Sequence, residues 1–384
     1  MKPVLFVTGH APAYRVGALA RLHEREGIEL ALFGGRLQHG GAERAWELPF
    51  PHRRVRPREL LALASSGDYR AVVCPTGGRL APLATWAGTR RARVPLIVWA
   101  SLWAHPRSAA HALTYLPLRR LYRSADALVT YGPHVSAYVA ARGARNIHVA
   151  AQAVDNEFWR ASASAQPSDP RWPSDAAVRF LFVGRALAGK GLPVLLSAWR
   201  AAGLRAAAAA LVLVGGGSAT GSDRGPDSSS GPGSDSARGS HRDGIATAPD
   251  ASIVSLGALD RERLREVYAA SDVLVVPSVA TRTFREPWGL VVNEAMDQGL
   301  AVIATDAVGA AAGGLVRDGS NGRIVPAGDA RALAAAIGEL AGDPRLRASM
   351  GAAGAADVLA YDYDAWADGF SRALASVGVS RAHC

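Results

Sequence analysis

Apolar runs of four to seven residues alternate along the chain with longer amphipathic or alanine-rich stretches. In the first half the runs fall at 4–8, 28–33, 71–75, 94–100, 127–131 and 147–151, with helical stretches such as 16–25, 107–123 and 135–141 between them. They recur at 179–183, 210–214, 252–255, 273–277 and 301–304. A strand that is apolar along its whole length is buried on both faces, as in a parallel sheet covered by helices. Two such series predict an α/β protein of two doubly wound, Rossmann-like domains. Ligands of such sheets bind at the carboxyl ends of the strands, here between the domains.

A chain of 384 residues suits two domains better than one. The Ser-, Pro- and Asp-rich stretch 161–175 reads as the boundary, giving a first domain over 1–165 and a second over 176–360. Residues 216–250 contain Gly, Ser, Asp, Pro and Arg and almost no large apolar side chain, so a disordered insertion is expected there. In the last segment, 361–384, Trp366 and Phe370 stand four apart, a helical spacing.

Two cysteines, Cys74 and Cys384, make neither a disulfide framework nor a metal cluster, and they fit a reducing compartment. The run after Met1-Lys2-Pro3 reads as a first strand rather than a secretory signal. No stretch reaches the roughly 20 apolar residues of a membrane span. The expectation is a cytoplasmic protein, soluble or peripheral at the inner face of a membrane. Residues 1–150 hold 21 Lys+Arg against 8 Asp+Glu, and the rest hold 22 against 25. A surplus confined to one half suggests that this half meets something anionic, although an Arg-rich composition would give the same count. No motif or basic-aromatic stripe points to nucleic acid.

The stretch 285–296, Arg-Glu-Pro-Trp-Gly-Leu-Val-Val-Asn-Glu-Ala-Met, follows the strand-like run 273–277. A strand, a loop with glycine and a helix start form a site for phosphate, because free amides and the helix dipole favour an anion. Glu286 precedes the helix, and Glu294 lies on the order of 8 Å along its axis from Gly289, at about 1.5 Å per residue. Neither carboxylate can bind phosphate, but both can bind hydroxyls. Phosphate together with hydroxyls suggests a nucleotide sugar. From spacing alone, a capping Glu286 and a solvated Glu294 read equally well.

The Glu286-x7-Glu294 spacing, with Ala295-Met296, Gly299 and the strand 301–305, resembles the signature of the retaining glycosyltransferases of family 4, group 1. So do 179–185 with Lys190-Gly191, then 255–259, 264–268, 271–278 and 318–322, in the family's order. The likeness covers roughly 125–340. It implies the GT-B fold, with the C-terminal helix packing back on the first domain. It also implies a nucleotide-diphosphate sugar donor, and neither a metal nor a resident cofactor.

Residue by residue, the resemblance implies that Arg185 and Lys190, after Gly184, neutralise the donor diphosphate. The amides of Gly289, Leu290 and Val291 would face the same group, and Leu259 and Trp288 would border the donor. Glu286 would hold the sugar and Glu294 the ribose. His105, in a Trp-rich loop, would be the first-domain histidine facing the sugar, with His111 and His134 as competitors. His10, Tyr14 and Arg15 follow the first strand without the family's usual Gly-Gly pair, and they are expected on the acceptor side. Gly314 stands where relatives often have Glu. The expected catalytic set is His105, Arg185, Lys190 and Glu286. The expected reaction is transfer of a hexosyl group to a glycan or lipid-linked acceptor, in cell-envelope glycan or glycolipid synthesis. A GT-B sugar-nucleotide epimerase and a non-catalytic nucleotide-sugar-binding scaffold are the alternatives.

Overall fold

The computed structural model describes residues 1–34, 48–78, 80–215 and 250–381. The insertion expected at 216–250 lies, but for Asp250, outside these residues, as does Cys384.

The first sheet contains β1 (Val4–Thr8), β2 (Ile28–Leu32), β3 (His52–Arg54), β4 (Ala71–Pro75), β5 (Leu96–Ala100), β6 (Ala127–Thr130) and β7 (Ile147–Val149). Its order is β3-β2-β1-β4-β5-β6-β7, and all pairings are parallel. The second sheet contains β8 (Val178–Val183), β9 (Ala209–Val214), β10 (Ile253–Gly257), β11 (Val273–Val276), β12 (Ala301–Thr305) and β13 (Gly322–Val325). Its order is β10-β9-β8-β11-β12-β13, again parallel throughout. The central strands β1, β5 and β12 are buried at every residue, whereas β3 is an exposed edge.

Both strand orders reverse once. The chain turns back beside β1, whose second neighbour is β4, and beside β8, whose second neighbour is β11. At such a reversal the adjoining loops diverge to opposite faces and leave a crevice at the carboxyl ends of the strands. The loops after β8 and β11 therefore border one crevice, and the loop after β1 borders the other.

The 161–175 stretch follows two residues that pack away from the first sheet. Val154 and Trp159 already pack in the second core, beside Tyr268 and Trp288. After helix Pro344–Asp357 the chain returns, and helix Tyr363–Ser376 lies against the first sheet. Its Trp366 and Phe370 rings, 4.5 Å apart, meet Trp99 of β5 at 5.9 and 5.8 Å. Burying such rings contributes through area and through edge-to-face geometry.

Candidate active site

The loop after β8 carries Gly184 and Arg185, then a single 3-10 turn, Ala188–Lys190. Gly191 follows at φ 71°, and a Cβ there would lie 1.8 Å from the Pro277 carbonyl oxygen. Only glycine allows this approach. It seats the turn against the end of β11 and aims Lys190 across the crevice. Lys190 Nζ lies 2.6 Å from Glu286 Oε2, and Ser278 Oγ donates to the same oxygen at 3.3 Å. Glu286 is 9% exposed at its side chain, so its charge depends on these partners.

After Glu286 the chain turns through Gly289, at φ 94°, into helix Val291–Asp297. No side chain caps this helix start. The first amides of any helix lack intrahelical acceptors, so those of Leu290 and Val291 can receive an anion. Trp288 does not face the crevice freely. It is 2% exposed, and its Nε1 donates to Asn293 Oδ1 at 2.8 Å. Leu259 is partly buried and packs on the second core. Glu294 accepts a 2.8 Å hydrogen bond from the Tyr268 hydroxyl, and burial pushes its carboxyl up to about 7. One turn on, Asp297 is also pushed up to about 7 by burial, and both its oxygens are buried without a partner.

The first domain closes over this loop. Trp103 Nε1 donates to the Glu286 carbonyl at 3.1 Å, and the Arg285 guanidinium lies 4.6 Å over the Trp103 ring. The Arg107 amide donates to the Arg282 carbonyl at 2.6 Å. Between the two loops lies a cavity of about 400 Å³, lined by Trp103, His105, Arg107, Arg282, Phe284 and Arg285.

The three histidines separate clearly. His105 lines the cavity, and its Nε2 donates to the His111 carbonyl at 2.8 Å. In the neutral ring this leaves Nδ1 as the acceptor nitrogen. Ser108 caps the helix that carries His111, its hydroxyl accepting from the His111 amide at 3.3 Å and lying 2.7 Å from His111 Nδ1. His134 wedges between Trp103 and Trp288 and donates from Nε2 to the Pro287 carbonyl at 3.3 Å. Burial lowers its pKa, which keeps the ring neutral.

On the acceptor side, Arg15 is engaged. Its guanidinium donates to Gln152 Oε1 at 2.8 Å and lies 4.5 Å over Trp99. Tyr14 precedes it, with its pKa raised by burial. His10 lies on the same loop, where its carbonyl accepts from Thr8 Oγ1. The Gln152 carbonyl in turn accepts from Asn293 Nδ2 at 3.3 Å. Trp103, Gln152, Ser278, Asn293 and Asp297 were not singled out by the sequence reading. Only the cluster of tryptophans around Trp103 gave a signal, because the others become site residues through contacts across 90 or more positions or through burial.

Two parallel doubly wound sheets facing each other across such a crevice define a GT-B fold. The Anabaena HepE structure with UDP and glucose superposes with TM-score 0.71 at 18% identity, covering 98% of this chain and 100% of that one. The E. coli trehalose-6-phosphate structure bound with UDP-2-fluoro glucose gives 0.68 at 14% identity, covering 99% and 100%. Residues 177–343 match the family model described as Glycosyl transferases group 1. By that segment, which holds the second sheet and the Lys190–Glu286 pair, the chain is similar to the group 1 glycosyltransferases.

Among curated proteins, a D-inositol 3-phosphate glycosyltransferase of Streptomyces griseus is 40% identical over 121 residues, which is 30% of this chain and 24% of that protein. A phosphatidyl-myo-inositol mannosyltransferase of Mycobacterium leprae is 35% identical over 125 residues, 33% and 32% of the two chains. The matched part thus spans about a quarter to a third of these relatives.

Proposed function

We propose that the chain is a retaining glycosyltransferase that moves a hexosyl group from a nucleotide-diphosphate sugar to an acceptor hydroxyl. The observation that carries this is the Lys190–Glu286 pair at the strand reversal of the second sheet, directly before an uncapped helix start. A cation, a hydroxyl-binding carboxylate and free amides converge there, which is what a sugar diphosphate requires.

In this reading the diphosphate lies on the amides of Leu290 and Val291, with Arg185 and Lys190 beside it. Glu286 takes the sugar hydroxyls. Glu294, oriented by Tyr268, takes the ribose. His105 offers Nδ1 to the sugar from the first domain. The bond from the anomeric carbon to the diphosphate oxygen breaks, and the acceptor oxygen bonds on the same face. The acceptor proton passes to the departing phosphate oxygen. The protein contributes by positioning the groups and by stabilising the leaving charge. Relatives named for inositol phosphate and phosphatidylinositol support a polyol or lipid-linked acceptor, as in glycolipid or cell-envelope glycan synthesis. Arg15, drawn away from Gln152, would meet an acceptor phosphate.

The test is a thermal-shift panel of UDP-, GDP-, ADP- and dTDP-sugars on the wild type and on Lys190→Ala. A ligand at one hundred times its dissociation constant stabilises a fold by about 2.7 kcal/mol. One donor should shift the wild type and not the variant, and product should then form with retained configuration. Absence of any donor shift would defeat the reading. Donor binding without transfer to inositol phosphates or lipid polyols would leave a binding protein.

A further inference from the structure

Residues 69–125 contain nine arginines and no Asp, Glu or Lys. The stretch builds β4, helix Ala81–Ala92, β5 and helix Ala109–Ser124, two helices side by side on one face of the first sheet. Clustering of this kind does not follow from an Arg-rich composition alone, because acids are excluded as well.

The same face exposes leucine. Leu113 and Leu116 are 81% and 68% exposed, and Leu80 and Leu83 are 61% and 44%. These are four of the nine large hydrophobics exposed among the described residues. Leu83, Trp86, Leu116, Pro117 and Leu121 line one apolar hollow of about 320 Å³. Arg90, Arg119, Arg120 and Arg123 share the adjoining hollow, and none of the four forms an ion pair among the described residues. The Arg120 guanidinium lies 5.6 Å over the Trp86 ring.

We infer that this face docks on an anionic lipid bilayer. Leucines beside unpaired arginines fit a surface whose headgroups are negative and whose interior is apolar. The arginines can keep their heads at phosphate level while their stems lie along the leucines. A nucleic-acid backbone would use the charge but not the leucines. The arrangement also sets an orientation. Both helices connect adjacent parallel strands, so their N-terminal ends lie at the carboxyl ends of β4 and β5. The leucines sit on those N-terminal halves and the arginines on the C-terminal halves. The apolar part of the face is therefore its cleft side, which brings the crevice to the bilayer. The inference goes beyond the transferase reading and stands without it.

The experiment is co-sedimentation of the full chain with phosphatidylcholine vesicles and with vesicles containing one-third phosphatidylglycerol. The wild type should partition onto the phosphatidylglycerol vesicles. Arg119→Gln/Arg123→Gln should weaken partitioning by about fivefold per arginine. Leu113→Gln/Leu116→Gln should weaken it by about tenfold or more. Arg331→Gln/Arg345→Gln, exposed on the second domain and matched in charge, should change it little. All variants should keep the wild-type melting temperature and any donor-induced shift, which separates this face from the crevice. Equal binding to both vesicle types, partitioning unaffected by the face variants, or retention on duplex DNA without sedimentation would each overturn the inference.

Discussion

Lys190 and Glu286 stand 96 positions apart in sequence and 2.6 Å apart in space, joined at Nζ and Oε2. The pair gives the crevice its polarity before any ligand enters. Removing Lys190 leaves a buried carboxylate without its cation, which costs stability as well as chemistry. Lys190→Met alone is expected to lower the melting temperature and to reduce transfer by about 10²–10³. Lys190→Met/Glu286→Gln should recover the melting temperature and none of the transfer. Transfer that returns with stability would make the pair structural only.

A second chain of contacts joins the domains. Arg15 donates to Gln152, the Gln152 carbonyl accepts from Asn293, and Asn293 accepts from Trp288. Asn293 is fully buried, so Asn293→Leu would orphan the Trp288 indole N–H and the Gln152 carbonyl. Leaving such groups unpaired costs about 1–3 kcal/mol each. Urea unfolding should show a lower midpoint. Asn293→Asp, unfolded at pH 4 where a buried acid can keep its proton, has both an acceptor for Trp288 and an O–H for the Gln152 carbonyl and should retain more stability there than Asn293→Leu. The order reversed would show that volume, not the bond, matters there.

Asp297 predicts an unusual pH profile. Burial raises its carboxyl from 3.8 to about 7, with Glu294 and Asp155 adding and Arg160 opposing. The folded form therefore holds a proton that the unfolded chain has released between those values. Stability falls as pH rises through that window and is level above it. Glu294, raised from 4.5 to about 7, slopes the same way. Asp297→Asn should raise the melting temperature at pH 8, leave it nearly unchanged at pH 4, and flatten the slope between. A variant no more stable at pH 8 would mean that Asp297 is solvated there.

The strands were legible because a parallel sheet leaves continuous apolar runs, and 71–75 coincides with β4 residue for residue. β3 was not, since His52-Arg53-Arg54 is short, polar and exposed at an edge. Glu286, Lys190 and the helix start were readable from local motif spacing. Trp288 reads like a ligand-facing aromatic, yet it is drawn inward by Asn293 and flanked by His134 and Tyr361. Which histidine lies where depends on how the loop after β5 folds against a loop some 180 residues away, and no local pattern encodes that contact. Asp297 was hidden for a related reason. An acid on a short helix reads as solvated unless the chain that covers it is known.

Gly191 offers the sharpest test of how the crevice is built. At φ 71° an added side chain costs about 1–3 kcal/mol in backbone strain. At Gly191 the Cβ would also meet the Pro277 carbonyl oxygen at 1.8 Å, so the turn and the end of β11 must separate. That separation carries Lys190 away from Glu286 and Ser278. Gly191→Ala is therefore expected to lower stability and to reduce kcat more than donor affinity, because the leaving charge loses its cation while the helix amides remain. Gly203→Ala is the control. It has a similar φ of 63° and open space around its Cβ, so it carries the strain without the displacement. Both variants should lose stability, and only Gly191→Ala should lose turnover. Equal turnover in the two would show that the approach of this glycine to Pro277 does not position Lys190.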